Sequence, residues 1–256
     1  VRVAVVPSRD GGPRLQRALA ALNGLPVIVV DDSLAGLPEL RAPPAGVEVR
    51  RAGGWGFARA TNLGLQAAAA GGAREALLLN DDAAPLPGCL PALFGRLRAG
   101  VGAVGPVLVD EAGRVESAGF HVSAWGRVRS LLDTPADDRP VAAASAACLL
   151  ISAHRRLDEG YPHGMEDLAL CAGLRAEGLA VIVTPAARCL HTGGATLDRR
   201  SAEATRAAVT GHLRLVGGGA RAPVVIGLAA AQVLREGRPA HLSAVWQGWR
   251  AARAGP

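Results

Sequence analysis

Short, unbroken apolar runs recur along the first two-thirds of the chain, each stopping on acidic, glycine or proline residues. The first, VRVAVV at residues 1–6, reads as a strand buried on both faces, as in a parallel sheet. Residues 7–12 form a turn, and 13–22 carry Leu15, Leu19 and Leu22 at helical spacing. A second strand is expected at 26–30, ending on Asp31, Asp32 and Ser33. Strand, helix, strand in this order is a right-handed crossover unit. A third short strand at 47–50 enters a loop punctuated by Gly53, Gly54, Gly56 and Gly64, with a helix over 60–70. The chain is organised around 75–86, EALLLNDDAAPL. There, 76–79 predict another doubly buried strand, and Asn80, Asp81 and Asp82 stand at its carboxyl end.

A helix is expected at 90–98 and a buried strand with a Gly-Pro break at 101–109. Residues 110–140 have no clear period, many Arg and Gly residues, and Trp125. They read as a long excursion beside the site, of a length usual for lids and binding loops. A strand follows at 142–151. Glu166 and Asp167 then open a helix that stops at Gly178, and 180–185 form the last core strand. His191 stands just beyond, in the Gly-rich CLHTGGAT. After Thr210, Arg214, Arg221, Arg235, Arg238, Arg250 and Arg253 alternate with apolar residues that include Trp246 and Trp249, a spacing for one or two amphipathic helices. The expected plan is an α/β domain over 1–215 with a helical appendage over 216–256.

Composition narrows the chemistry. At 256 residues the chain is one large domain, or one domain with an appendage. All 28 basic side chains are Arg, so Schiff-base chemistry, pyridoxal phosphate attachment and a phosphate-loop lysine are excluded. The net charge of +6 favours an anionic partner: a nucleotide, an acidic lipid surface or a nucleic acid. Nucleic acid is the weakest of these, since no basic stripe is interleaved with aromatics. Cys89, Cys148, Cys171 and Cys189 have neither CxxC pairing nor a His at zinc spacing, which suggests buried thiols in a reduced, cytoplasmic compartment. The opening VRVAVV gives no sign of a secretory leader, and no apolar stretch reaches membrane-spanning length.

Open α/β sheets bind ligands beyond the carboxyl ends of their strands. Oxygen side chains at Asn80, Asp81 and Asp82 can hold a hard divalent cation that neutralises a diphosphate, although acids there also form ordinary turns. Asp31 is placed to receive a ribose or base, or to cap a turn. A dinucleotide fingerprint on Gly54 and Gly56 fails, because Arg59 occupies its third small position. Arg59 itself faces either a phosphate or solvent. Glu166 and Asp167 are either dipole-capping acids or a general base held at a rigid helix start. His191 is either structural or a ligand.

Taken in order, VVDDS, GWGFARATNLGL, LLLNDDA, VGAVGP, SAACLLIS, MEDLALCAGLRAEG and HTGGAT resemble family 2 glycosyltransferases, particularly the bacterial rhamnosyltransferase-like branch, over residues 1–215. The resemblance implies a GT-A fold, a Rossmann-like, mostly parallel sheet flanked by helices. It also implies inverting transfer of a sugar from a nucleotide-diphosphate donor to a hydroxyl on a glycan, a lipid-linked glycan or a small molecule, with Mg²⁺ or Mn²⁺. Carried over by position, it puts Asp31, Asp32, Arg59, Asn62, Asn80 and Asp81 on the donor, Asp82 and His191 on the metal, and Asp167 as base beside Glu166. Pro7, Ser8 and Arg9 replace the family's usual Thr-Tyr-Asn, and Ala169 and Gly173 replace its later Asp and Arg. These departures motivate an alternative, a catalytically degenerate sugar-nucleotide-binding or assembly protein. A nucleotidyltransferase is a further alternative, without the Arg-rich loop that class carries near its first strand. The implied setting is cell-wall or polysaccharide biosynthesis in the cytoplasm. The basic tail would rest on the inner membrane face, pack on its own domain or join a homodimer.

Overall fold

The computed structural model describes residues 1–22, 24–123, 126–161, 164–193, 201–217 and 221–253. Trp125 and the Gly194-Ala195-Thr196 end of the HTGGAT motif lie outside them. β1 (Arg2–Ser8), α1 (Gly12–Ala21) and β2 (Val27–Asp31) form the expected crossover, and β3 (Val47–Arg51) joins β2 in parallel at the sheet edge. α2 (Phe57–Ala70) starts three residues earlier than its apolar spacing suggested, and β4 (Glu75–Leu79) follows. Period-two alternation explains why these strands are apolar throughout. Val3, Val5, Ala76 and Leu78 face one layer, while Ala4, Val6, Leu77 and Leu79 face the other. α2 and the later α4 (Glu166–Ala176) cover the first face; α1 and α3 (Cys89–Phe94) cover the second. α3 is shorter than the expected 90–98 helix, ending at Gly95.

β5 (Ala83–Pro85) precedes α3, and β6 (Val101–Val109) runs through its Gly-Pro step without a break. The irregularity falls instead on its partner, between Thr184 and Arg188 of β12 (Ala180–His191). That bulge carries the chain past Pro185, so the last strand extends six residues beyond its expected end and terminates at His191. The 110–140 stretch is not a bare loop. It contains β7 (Val115–Ser117), the β8–β9 hairpin (Phe120–Val122 and Val128–Ser130) and β10 (Arg139–Pro140). β11 covers only Cys148–Ser152, with 142–147 irregular ahead of it, and α4 spans Glu166–Ala176.

The main sheet runs β10-β12-β6-β11-β4-β1-β2-β3, with β5 on β12 and β7 on β6. β3, β2, β1 and β4 are mutually parallel, as are β6 and β12, and antiparallel β11 stitches the two blocks together. α5 (Ala202–Leu215) is followed in the basic tail by α6 (Ala222–Arg235) and α7 (Leu242–Arg253), two helices where one or two were expected. They share a small apolar cluster of Val209, Leu213, Val225, Val233 and Val245, so α5 packs with the tail helices. Among the described residues, no helix is long and apolar enough to cross a membrane.

Candidate functional site

The carboxyl ends of β1, β2 and β4 open on one side of the sheet, because the three strands are parallel and adjacent. Ser8 ends β1, and its hydroxyl donates to Asp81 Oδ2 at 2.6 Å while accepting the Gly11 N–H. Burial pushes the Asp81 carboxyl above the usual carboxylate range, and the Ser8 hydrogen bond opposes this shift. Asn80 keeps its backbone in the sheet by donating to Ala147 O, yet its buried Oδ1 receives no hydrogen bond.

Asp82 and His191 meet because β5, directly after Asp82, pairs with the end of β12 and sets Ala83 opposite His191. Thr192 locks the junction by donating both N–H and hydroxyl to Asp82 O. Asp82 Oδ1 lies 3.4 Å from His191 Nε2 and is buried without a hydrogen-bond donor. On the other side of the ring, His191 Nδ1 lies 2.7 Å from Glu116 Oε2. An ionised carboxylate only accepts, so Nδ1 carries the proton that Glu116 receives. In the neutral ring, Nε2 is then a lone pair aimed at a carboxylate oxygen. Two acceptors held this way need either a proton on the ring or a cation near both. Burial lowers the His191 pKa, but Asp82 and Glu116 outweigh it and the net shift is upward. Asp82 shifts downward, because His191 outweighs the effect of its burial.

This donor set fits a divalent cation. It offers one carboxylate oxygen and one imidazole nitrogen, with a second carboxylate orienting the imidazole from behind, the usual support for a ligating His. Among the described residues, no three His, Cys, Asp or Glu side chains form a complete cage. Water and substrate would supply the remaining ligands, as is common for Mg²⁺. Glu116 lies in the stretch whose sequence showed no period, and only its place on β7 beside β6 brings it to His191.

The second acidic cluster is tied to the first through the 145–147 turn. Ala147 O accepts the Asn80 N–H, while the neighbouring Ala146 N–H donates to Asp167 Oδ2 at 3.2 Å. Asp167 Oδ1 also accepts the Leu168 N–H at 2.8 Å. Burial lifts the Glu166 carboxyl from an ordinary 4.5 to about 8, with the Asp167 charge adding to it. Burial also raises Asp167, while its two N–H donors favour the charged form. Burial thus favours the neutral form of Glu166, while the N–H donors on Asp167 work against the same effect there. Met165 immediately precedes the pair at φ 74°, the one left-handed non-glycine among the described residues.

Asp31 and Asp32 are engaged by the chain's own loops. Asp31 accepts from the Ser33 N–H and hydroxyl, the Leu37 N–H and the Arg51 guanidinium. Burial alone would raise its pKa, but these partners hold it below the ordinary value. Asp32 accepts the Trp55 and Gly56 N–H groups at 2.6 and 2.9 Å. Arg59 lies over the Trp55 ring, 4.4 Å from its centre, and 3.9 Å from Glu159. Asn62 is buried in α2, where it donates to Leu157 O and Glu159 and accepts the Leu157 N–H. Its side chain pins the 157–159 segment and does not reach the acidic clusters through any of these bonds.

No family model and no curated protein matches the sequence. Solved structures with a similar fold include GalNAc-T7 with UDP, GalNAc and Mn²⁺, at TM-score 0.65 and 14% identity. That match covers 85% of this chain and 47% of the other, so this chain spans about half the length of GalNAc-T7. The mannosyltransferase PcManGT from Pyrobaculum calidifontis, with GDP-Man and Mn²⁺, matches at TM-score 0.57 and 16% identity, covering 99% of this chain and 75% of the other. At these identities the likeness is one of fold, and it agrees with the GT-A architecture that the sequence resemblance implied.

Proposed function

We propose that this chain is an inverting glycosyltransferase that moves a sugar from a nucleotide-diphosphate donor to an acceptor hydroxyl, using Mg²⁺ or Mn²⁺. The observation that carries the reading is the buried Asp82–His191 pair, backed by Glu116, at the carboxyl edge of a parallel sheet. It is supported by the fold likeness to two proteins solved with UDP or GDP-Man together with Mn²⁺. A divalent cation held by Asp82 and His191 would offset the charge gathering on the departing diphosphate.

The chain's own groups account for the rest. Asn80 Oδ1, buried without a donor, is an acceptor in waiting for a substrate hydroxyl or a metal-bound water. Asp32 orders the Trp55–Gly56 turn and Asp31 orders 33–37, shaping the rim that would receive the nucleoside. Trp55 is about half exposed and presents an aromatic surface there, backed by Arg59. Asp167 takes the proton from the acceptor hydroxyl as that oxygen attacks the anomeric carbon, opposite the breaking bond to the diphosphate. Attack and departure on opposite faces invert the centre in one step. Because Glu166 is held protonated, it adds no second charge beside the base.

Calorimetric titration with UDP, dTDP and GDP, each with and without Mn²⁺, tests the donor half. One diphosphate should bind in a metal-dependent manner, and Asp82→Ala should abolish that dependence. A folded protein that binds none of the three refutes the donor site. For the chemical half, Asp167→Asn should lower kcat by about 10²–10⁴-fold with nucleotide binding retained. Undiminished turnover in that variant would remove Asp167 as the base.

A further inference from the structure

The β8–β9 hairpin leans on the C-terminal end of α5, where Gly126 packs so closely on Val216 that no side chain fits between them. Between β9, α5 and α6 this contact leaves an open groove of about 480 Å³, within the range of roughly 300–1,000 Å³ typical of small-molecule sites. Its floor is aliphatic, with Val128 from β9, Ala208 and Val209 from α5, and Val225 and Leu228 from α6. Leu228 is 50% exposed although it faces this apolar lining. Among the described residues, no acidic side chain lines the groove; His212, Thr205 and Gln232 are its uncharged polar members.

Its rim is cationic. Arg127, just before β9, and Arg129 within it border one side, and Arg235 at the end of α6 and Arg238 just beyond it border the other. Arg127, Arg129 and Arg235 are exposed and make no side-chain hydrogen bond or ion pair among the described residues. Three unpaired guanidiniums around an aliphatic trough favour a ligand with an anionic head and a hydrocarbon body. A small polar anion would leave the floor wet, and an uncharged hydrocarbon would leave the arginines without a counter-charge. We propose that this groove binds a single-chain anionic amphiphile, an alkyl or isoprenoid phosphate, with the head on the arginines and the chain along α5.

α5 connects the groove to the α4 acids. Gly211 lies against Met165, and a Cβ there would come within 2.8 Å of Met165 Sδ. Met165 in turn directly precedes Glu166. That the amphiphile serves as the lipid-linked acceptor rests on the transfer reading; that the groove binds it does not.

The test is calorimetry on the full chain with dodecyl phosphate below its micellar concentration. Inorganic phosphate and dodecyl maltoside serve as head-only and chain-only comparators. One-to-one binding of dodecyl phosphate, at least tenfold tighter than either comparator, supports the site. Arg129→Glu with Arg235→Glu should weaken it tenfold or more, with the far-ultraviolet melting curve unchanged. Equal affinity for dodecyl phosphate and phosphate overturns the proposal, as does indifference to the charge reversal. So does sedimentation with anionic vesicles in the absence of dodecyl phosphate binding, which would mean a bilayer-facing surface. Self-association lost on charge reversal would assign the groove to a second copy and overturn it as well. UDP and GDP binding with Mn²⁺, followed in parallel, reports on the transfer reading separately.

Discussion

Glu166 is a buried carboxyl, and its proton ties folding to pH. Its carboxyl titrates near 8 in the folded protein against an ordinary 4.5. Between those values the native state holds a proton that the unfolded chain has released, so stability falls as pH rises. At about 1.4 kcal/mol per unit, the loss across the window is on the order of a few kcal/mol. Glu166→Gln should flatten that fall, and urea denaturation at pH 5 and pH 8 measures it. Parallel loss in wild type and variant would mean that another group carries the dependence. Asn62 gives a contrasting prediction. Asn62→Ala removes three hydrogen bonds to the 157–159 segment and should cost about 1–3 kcal/mol, with metal-dependent nucleotide binding intact. At this scale the sequence showed the acids and the His, because strand ends announce themselves in hydropathy. It did not show Glu116, which reaches His191, 75 positions away in sequence, only because β7 and β12 both pair with β6. Nor did it show that Asp31 and Asp32 spend their oxygens on their own loops, since a carboxylate reads the same whatever donates to it.

α2 lies close on the sheet at Gly64, where an added Cβ would run into Val5 of β1 and sit 3.0 Å from Val30 of β2. The sequence grouped Gly64 with the glycines that lead into the helix expected over 60–70; it stands inside that helix, where it sets the helix-to-sheet distance. Gly64→Ala should therefore destabilise by about 1–3 kcal/mol through overpacking, despite the better helix propensity of Ala. A midpoint in urea equal to or above wild type would show that Val5 and Val30 can yield. Elements with long apolar runs were legible to within a few residues: β1, β2, β4 and β6 bury both faces and have little freedom to be anything else. The strands of 110–140 were not, because pieces of two or three residues carry no measurable period. β12 was cut short in the reading because Pro185 looks like a stop, whereas a bulge lets the strand pass it.

Across the whole molecule, the sheet separates two extensive apolar layers, while α5, α6 and α7 share only a small cluster around Val209, Leu213, Val225, Val233 and Val245. Fewer buried contacts mean cheaper local opening. Backbone amides in α6 and α7 should exchange hydrogen roughly tenfold or more faster than those of β1 and β4, measurable by mass spectrometry; equal protection would show the helices unfolding only with the sheet. Alternating strands and helices made the α/β class legible from the sequence. The antiparallel insertion of β11 between the parallel blocks was not, since strand direction leaves no mark on composition. That insertion also brings the 145–147 turn between the two acidic clusters, with one backbone carbonyl on Asn80 and the adjacent N–H on Asp167. The turn acts as a gauge block made of main chain. A proline at position 146, lacking the N–H, would throw that calibration out although every acidic residue stayed in the sequence, because main chain rather than the acids themselves sets the distance between the two clusters.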